Sequence, residues 1–160
     1  MIKNFYLDIL REKFNKNYES SHLTRFVIDL AKKSSSSFLL SDCSIELPRI
    51  NYEKFNAKKY RYVYASGTDR KEFINRLLKI DVASGKTKAW QKKLCYPGEP
   101  VFVARPGSTG EDDGIILSVV LDAKNKKSFL LILDAKTFRE TGKAYVPHHI
   151  PFGFHGNYYK

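Results

Sequence analysis

Two stretches of this chain are variations on one pattern, and that recurrence restricts the fold more than any other feature. LLKIDVASGKTKAW, from Leu77 to Trp90, and LLILDAKTFRETGKAYV, from Leu130 to Val146, share a form. Each runs from an apolar strand to an aspartate, a turn with Thr and Gly, a lysine, and a return strand with an aromatic residue near its end. Asp81 and Asp134 stand 53 residues apart, and two further strand-like runs precede each hairpin. The repeating unit therefore has four strands. A four-stranded unit returning every ~40–50 residues is the sequence form of a β-propeller blade, with loops lengthening the period. A β-sandwich would also give many short strands but does not require them to repeat.

The rest of the chain divides around these units. Residues 1–20 read as a helical lead-in, because Leu7, Leu10 and Phe14 fall at helical spacing. Residues 21–43 hold the strand LTRFVIDL and the low-complexity run SSSSF at 34–38, which reads as a loop. Residues 44–93 and 94–149 make one blade each, with Leu78, Ile80 and Val82 on one face of the first hairpin and PGSTGEDDG as a surface loop of the second. Residues 150–160 form the inner strand of a closing blade. The expected fold is all-β: a partial β-propeller of two to three blades preceded by a short N-terminal helix.

Composition narrows the setting. No apolar run approaches the roughly 18–20 residues that span a bilayer, and MIKNFYLDILREKF lacks the long apolar core of a secretory signal. Two cysteines, Cys43 and Cys95, make no disulfide framework or CxxC pair. An intracellular location, cytoplasmic or mitochondrial, is expected. The formal net charge is +11, and residues 1–93 hold 20 of the 28 Lys and Arg. Because these charges come in ones and twos, they read as solvated strand edges and turns, where lysine also discourages edge-to-edge pairing.

The 53-residue ruler also fits the first strand of each unit. Glu46 lies in SIELPRI and Glu99 in PGEPVFV, 53 residues apart, and His155 in GFHGNYY follows after another 56. The first strand of every propeller blade lines the central channel, so these three side chains would converge on one axis, with Gly156 leaving room beside the imidazole. A histidine near carboxylates suits either a metal ligand, its second ring nitrogen held by a carboxylate, or an acid/base pair. His148 and His149 sit in a blade-end turn facing solvent, and His22 shows no partner. No GxSxG, HExxH, P-loop or dinucleotide fingerprint is present.

ELPRINYEKFN, YPGEPVFVARPG, EDDGIILSVV, SFLLILDAKTFRE and VPHHIPFGFHG, in this order, resemble the C-terminal third of the carotenoid cleavage oxygenases, most closely the animal branch. The Ser-rich stretch at 33–43 departs from the family pattern. The resemblance implies a seven-bladed propeller carrying one iron(II), Fe(II), on its axis, held by four histidines and surrounded by three glutamates that orient ligands. It makes His155 the last ligand, Glu99 and Glu46 carboxylates that orient ligand histidines, and Phe154 a residue of the substrate tunnel. It implies O2-dependent scission of a carotenoid or apocarotenoid double bond, and peripheral membrane association for the complete enzyme. Three ligand histidines are not among the four of this chain, so this polypeptide is expected to be an inactive portion of a longer oxygenase. The alternative is a basic β-repeat module that binds nucleic acid or an anionic surface, with NYEKFNAKKYRYVY as a stacking platform. Those tyrosines are more economically read as strand-face packing, so no nucleic acid is expected.

Overall fold

A computed structural model describes residues 21–69 and 73–159. They form ten strands and one turn of helix: β1 (His22–Asp29), β2 (Ser34–Arg49), α1 (Tyr52–Phe55), β3 (Tyr62–Gly67), β4 (Arg76–Asp81), β5 (Thr87–Gln91), β6 (Cys95–Pro97), β7 (Val101–Ala104), β8 (Gly114–Asp122), β9 (Lys127–Asp134) and β10 (Glu140–Tyr145). The described residues are all-β, and the expected helical lead-in over 1–20 lies outside them. Two antiparallel meanders follow one another, ordered β1-β2-β3-β4-β5 and β10-β9-β8-β6, with β7 also on β8.

The hairpins share one turn. Asp29, Asp81, Asp122 and Asp134 each end a strand and accept a backbone N–H two or three residues on, at 2.9, 3.1, 3.1 and 2.6 Å. Four residues after each aspartate the backbone turns left-handed, at Lys33, Gly85, Lys126 and Phe138. The carboxylate satisfies an amide the tight turn leaves unpaired, which is why aspartate recurs there. SSSSF is strand, not loop: Ser34 to Phe38 pair one by one with Asp29 to Arg25. The Asp29 turn sets that register, and the ladder overrides the low strand preference of serine.

Each sheet carries a break in one strand. In β2 the pairing slips between Glu46 and Arg49, where Leu47 takes φ +51°. In the second sheet β6 and β7 lie along the same edge of β8 as two halves of one strand, interrupted at Gly98-Glu99-Pro100. An added Cβ at Gly114 would collide with Val103 O, so glycine there lets β7 lie against β8.

Between the sheets, Tyr64, Leu77 and Trp90 of the first pack on Ile116, Val120, Phe129, Leu131 and Leu133 of the second. Leu78 and Ile80 face the opposite side with Ile45 and Val63, and Val82 packs against them, one face as the pattern required. Buried Lys79 crosses the interface: its Nζ donates to Asp112 Oδ2 at 2.6 Å and Ala135 O at 2.7 Å, 4.1 Å from the Tyr62 ring centre. Burial pushes its ammonium down, partly opposed by Asp112. PGSTGEDDG is thus a strap rather than a free surface loop. Glu111 accepts the Arg61 and Tyr62 amides at 2.8 and 2.7 Å, and Lys54 donates to Ser108. Residues 150–159 form no strand, since none of the described residues offers them a ladder.

Asp134→Ala is expected to cost about 1–2 kcal/mol in urea unfolding, because two bonds from Thr137 end on that carboxylate. Lys79→Met strands Asp112 and the Ala135 carbonyl, with an expected loss of roughly 2–3 kcal/mol by the same assay. The Arg61 guanidinium holds the Asp81 carboxyl well below the usual range, and the Thr137 amide and hydroxyl lower that of Asp134. Such groups bind fewer protons folded than unfolded. Their contribution is complete above about pH 4 and is lost as pH falls through the lowered values, so the Tm should drop steeply on acidification.

Candidate functional site

The break in the β6–β7 strand is held open from both sheets. Gly98 N–H donates to Val119 O at 2.8 Å, and Gly98 O accepts the hydroxyls of Ser66 at 2.8 Å and Ser118 at 3.1 Å. Ser66 belongs to β3, so the neighbouring sheet fixes the kink. Glu99 follows and precedes Pro100, whose ring keeps the Glu99 backbone extended and away from helical geometry.

The Glu99 side chain is only 4 % exposed and gathers three donors. Gly156 N–H donates to Oε2 at 2.9 Å, His155 Nδ1 lies 3.1 Å from Oε1, and Arg49 approaches Oε1 at 3.5 Å. Arg49 comes from the break in β2, with its guanidinium 5.2 Å from the Tyr52 ring centre. A buried carboxylate is sustained by such charge-assisted bonds. A carboxylate oxygen accepts this bond, so a neutral His155 ring held here carries its proton on Nδ1 and its lone pair on Nε2. The His155 side chain is 62 % exposed, a ring gripped on one edge and open on the other.

The segment carrying His155 is pinned at several points. Ile150 N–H donates to Ser128 Oγ at 2.8 Å, and Phe152 packs edge-on against Phe73, centroids 4.7 Å apart. The Phe154 ring meets the imidazole edge-to-face at 4.3 Å. Beneath lies an apolar cavity of about 330 Å³, bordered by Val101, Leu117, Val119, Leu121, Phe154 and His155. A Cβ on Gly156 would meet nothing closer than Val101 at 3.9 Å, so the role of this residue visible here is its N–H rather than the room it leaves.

Of the residues singled out by spacing, His155 and Glu99 come together, with the Phe154 ring edge-to-face against the imidazole. Glu46 sits at the equivalent break in β2 and accepts from Ser21 Oγ at 3.0 Å. His22, His148 and His149 are exposed. Among the described residues no group of three or more His, Cys, Asp and Glu is placed to hold a metal ion. Arg49, Ser66, Ser118 and Ser128 were not foreseen.

A family model described as retinal pigment epithelial membrane protein matches residues 1–160. The chain is 46 % identical over 115 residues to the mitochondrial carotenoid-cleaving dioxygenase of Homo sapiens, covering 71 % of this chain and 20 % of that protein. It is 43 % identical over 113 residues to the beta,beta-carotene 15,15'-dioxygenase of Gallus gallus, 70 % of this chain and 21 % of the relative. The chain thus spans about a fifth of the length of the curated relatives it matches. Among solved structures, cobalt-substituted Synechocystis ACO superposes with a TM-score of 0.82 at 32 % identity, over 88 % of this chain and 30 % of that one. A Synechocystis apocarotenoid oxygenase mutant gives 0.83 at 31 % identity, over 88 % and 30 %.

Glu99→Ala removes the acceptor that ties the terminal segment down. Amide exchange at Gly156, read by hydrogen–deuterium NMR, should accelerate at least about tenfold, corresponding to the loss of one charge-assisted bond.

Proposed function

Because the chain belongs to the retinal pigment epithelial membrane protein family, the carotenoid cleavage oxygenases, we propose that it supplies adjoining blades of a seven-bladed propeller enzyme. The complete enzyme would cleave a polyene double bond of a carotenoid or apocarotenoid with O2. The observation that carries this reading is the grip of Glu99 on His155 Nδ1 at 3.1 Å. Metal-bound histidines characteristically present one nitrogen to the ion and the other to a carboxylate or carbonyl. The donor chemistry at Nε2, a neutral imidazole, fits iron(II).

His155 would hold the iron, with Glu99 fixing its tautomer and ring direction. Bound iron(II), carrying its full charge among neutral ligands, would supply the activation of O2. Glu46, at the matching break in β2, would orient a ligand histidine of a preceding blade. Phe154, over the apolar cavity, would border the polyene and exclude water from it. A single imidazole does not retain iron(II) against water. The 160-residue chain is therefore inert by itself, with the further ligands drawn from a longer polypeptide. The alternative, a basic module reading nucleic acid, has less support: Tyr64 is fully buried and Tyr62 packs with it against the inter-sheet core.

Two measurements test the proposal. The purified chain should hold well under one equivalent of iron and yield no apocarotenoid by chromatography, and stoichiometric iron with turnover would contradict it. Transplanted in place of the matching segment of the human mitochondrial relative, the chain should support cleavage. His155→Ala in that chimera should lower kcat/KM by about 100-fold or more together with the iron content. Full activity of this variant would remove His155 from the metal site.

A further inference from the structure

The outer strand of the second sheet ends in a lysine-rich corner that takes no part in the Glu99 site. β10 is the end strand of its sheet, and among the described residues nothing pairs with its outer edge. Val146 N–H points inward to Ser128 O at 3.0 Å, so by the antiparallel alternation Lys143 and Tyr145 turn their backbone N–H and C=O groups outward. Beside the Tyr145 end, the turn between β8 and β9 carries Lys124, Lys126 and Lys127. Ala123 N–H donates to Leu94 O at 2.9 Å, which sets Lys92 and Lys93 next to that turn. All five lysines are exposed, and among the described residues none of them forms an ion pair.

We propose that this corner docks an acidic, extended segment of a partner protein, which adds to β10 as a further strand. The outward backbone groups of Lys143 and Tyr145 are matched in register by another polypeptide in extended form. Beyond them, Asn125, Lys127, Tyr145, Val146 and Pro147 line an open hollow, with the Tyr145 ring 62 % exposed. The hollow takes one apolar side chain of the incoming strand, while carboxylates flanking that side chain reach the lysines.

Charge decides which strand is accepted. The carboxylates beside the corner are already engaged. Asp122 is buried and accepts the backbone N–H of Asn125 at 3.1 Å and its side-chain amide at 2.8 Å. Glu140 holds the Lys143 ammonium at 2.8 Å and the Trp90 indole N–H at 3.2 Å. The five lysines therefore present a field of one sign to solvent. Lysine beside an open edge turns away basic strands, a second copy of β10 included, and leaves the edge to acidic ones. A bilayer surface or a nucleic-acid strand also attracts lysines, but neither supplies donors and acceptors at strand spacing. The inference rests on β10 and its neighbours and does not depend on the oxygenase reading.

The test titrates the full chain into a fluorescein-labelled short peptide of alternating valine and glutamate, read by anisotropy. Binding should show a Kd on the order of 10–100 µM at low salt and weaken at least about tenfold in molar salt. The triple variant Lys124→Glu, Lys126→Glu, Lys127→Glu alters only exposed positions and should lose at least about tenfold in affinity. Lys58→Glu with Lys59→Glu, exposed between α1 and β3, should change it by no more than about threefold. As a second readout, the Lys143 and Tyr145 amides of the wild-type chain should gain protection from hydrogen exchange on binding, while those of β1 should not. The same peptide N-methylated at alternate residues cannot pair with a strand edge and should not bind. Equal binding of the methylated peptide, undiminished binding to the triple variant, or no binding at about 1 mM chain overturns the proposal. So does unchanged exchange at Lys143 and Tyr145, or tighter binding of phosphatidylserine vesicles or a single-stranded oligonucleotide through the same lysines.

Discussion

A carboxylate placed where water cannot reach it must be surrounded by donors, and Glu99 organises the site by that requirement. The cost of burying the charge is met by Arg49 from one sheet and by His155 and Gly156 from the terminal segment. Three pieces of chain are thereby brought to one point. Removing the carboxylate would lose more than a bond, because the imidazole would lose its tautomer and the terminal segment one of its anchors.

The kink that sends Glu99 inward is itself a product of sheet packing. A regular strand alternates its side chains and keeps its amides in the ladder. Interrupting β6 and β7 at Gly98 frees a carbonyl, and hydroxyls from Ser66 and Ser118 take it up. The equivalent slip in β2 carries Glu46 and delivers Arg49. Bulges of this kind re-aim side chains next to active sites. Lys79 and the Glu111–Asp112 strap tie the two sheets together elsewhere along the interface.

Local chemistry made part of this legible beforehand. The Asp-led hairpins and their 53-residue period follow from nearest neighbours along the chain, and so do the alternating apolar faces of β4. The contact between Glu99 and His155 was foreshadowed by their spacing, close to one repeat. Ser34–Ser37 misled, since their strand state comes from β1 across the ladder and not from serine. The terminal segment misled in the opposite sense: its aromatic residues look like strand, but a strand needs a neighbour. Ser66, Ser118 and Ser128 were invisible, because a hydroxyl whose partner lies 20 to 32 residues away leaves no mark on its own surroundings in sequence.

Glu99 holds the proton of a neutral His155 ring on Nδ1 and leaves Nε2 at the open edge of the ring. Long-range ¹H–¹⁵N correlation NMR on the ¹⁵N-labelled chain at neutral pH reads the tautomer directly. The account predicts a protonated Nδ1 and an unprotonated Nε2 for His155, with His22, His148 and His149 giving the averaged pattern of solvated rings. A His155 ring protonated on Nε2, or indistinguishable from the three exposed histidines, would contradict it.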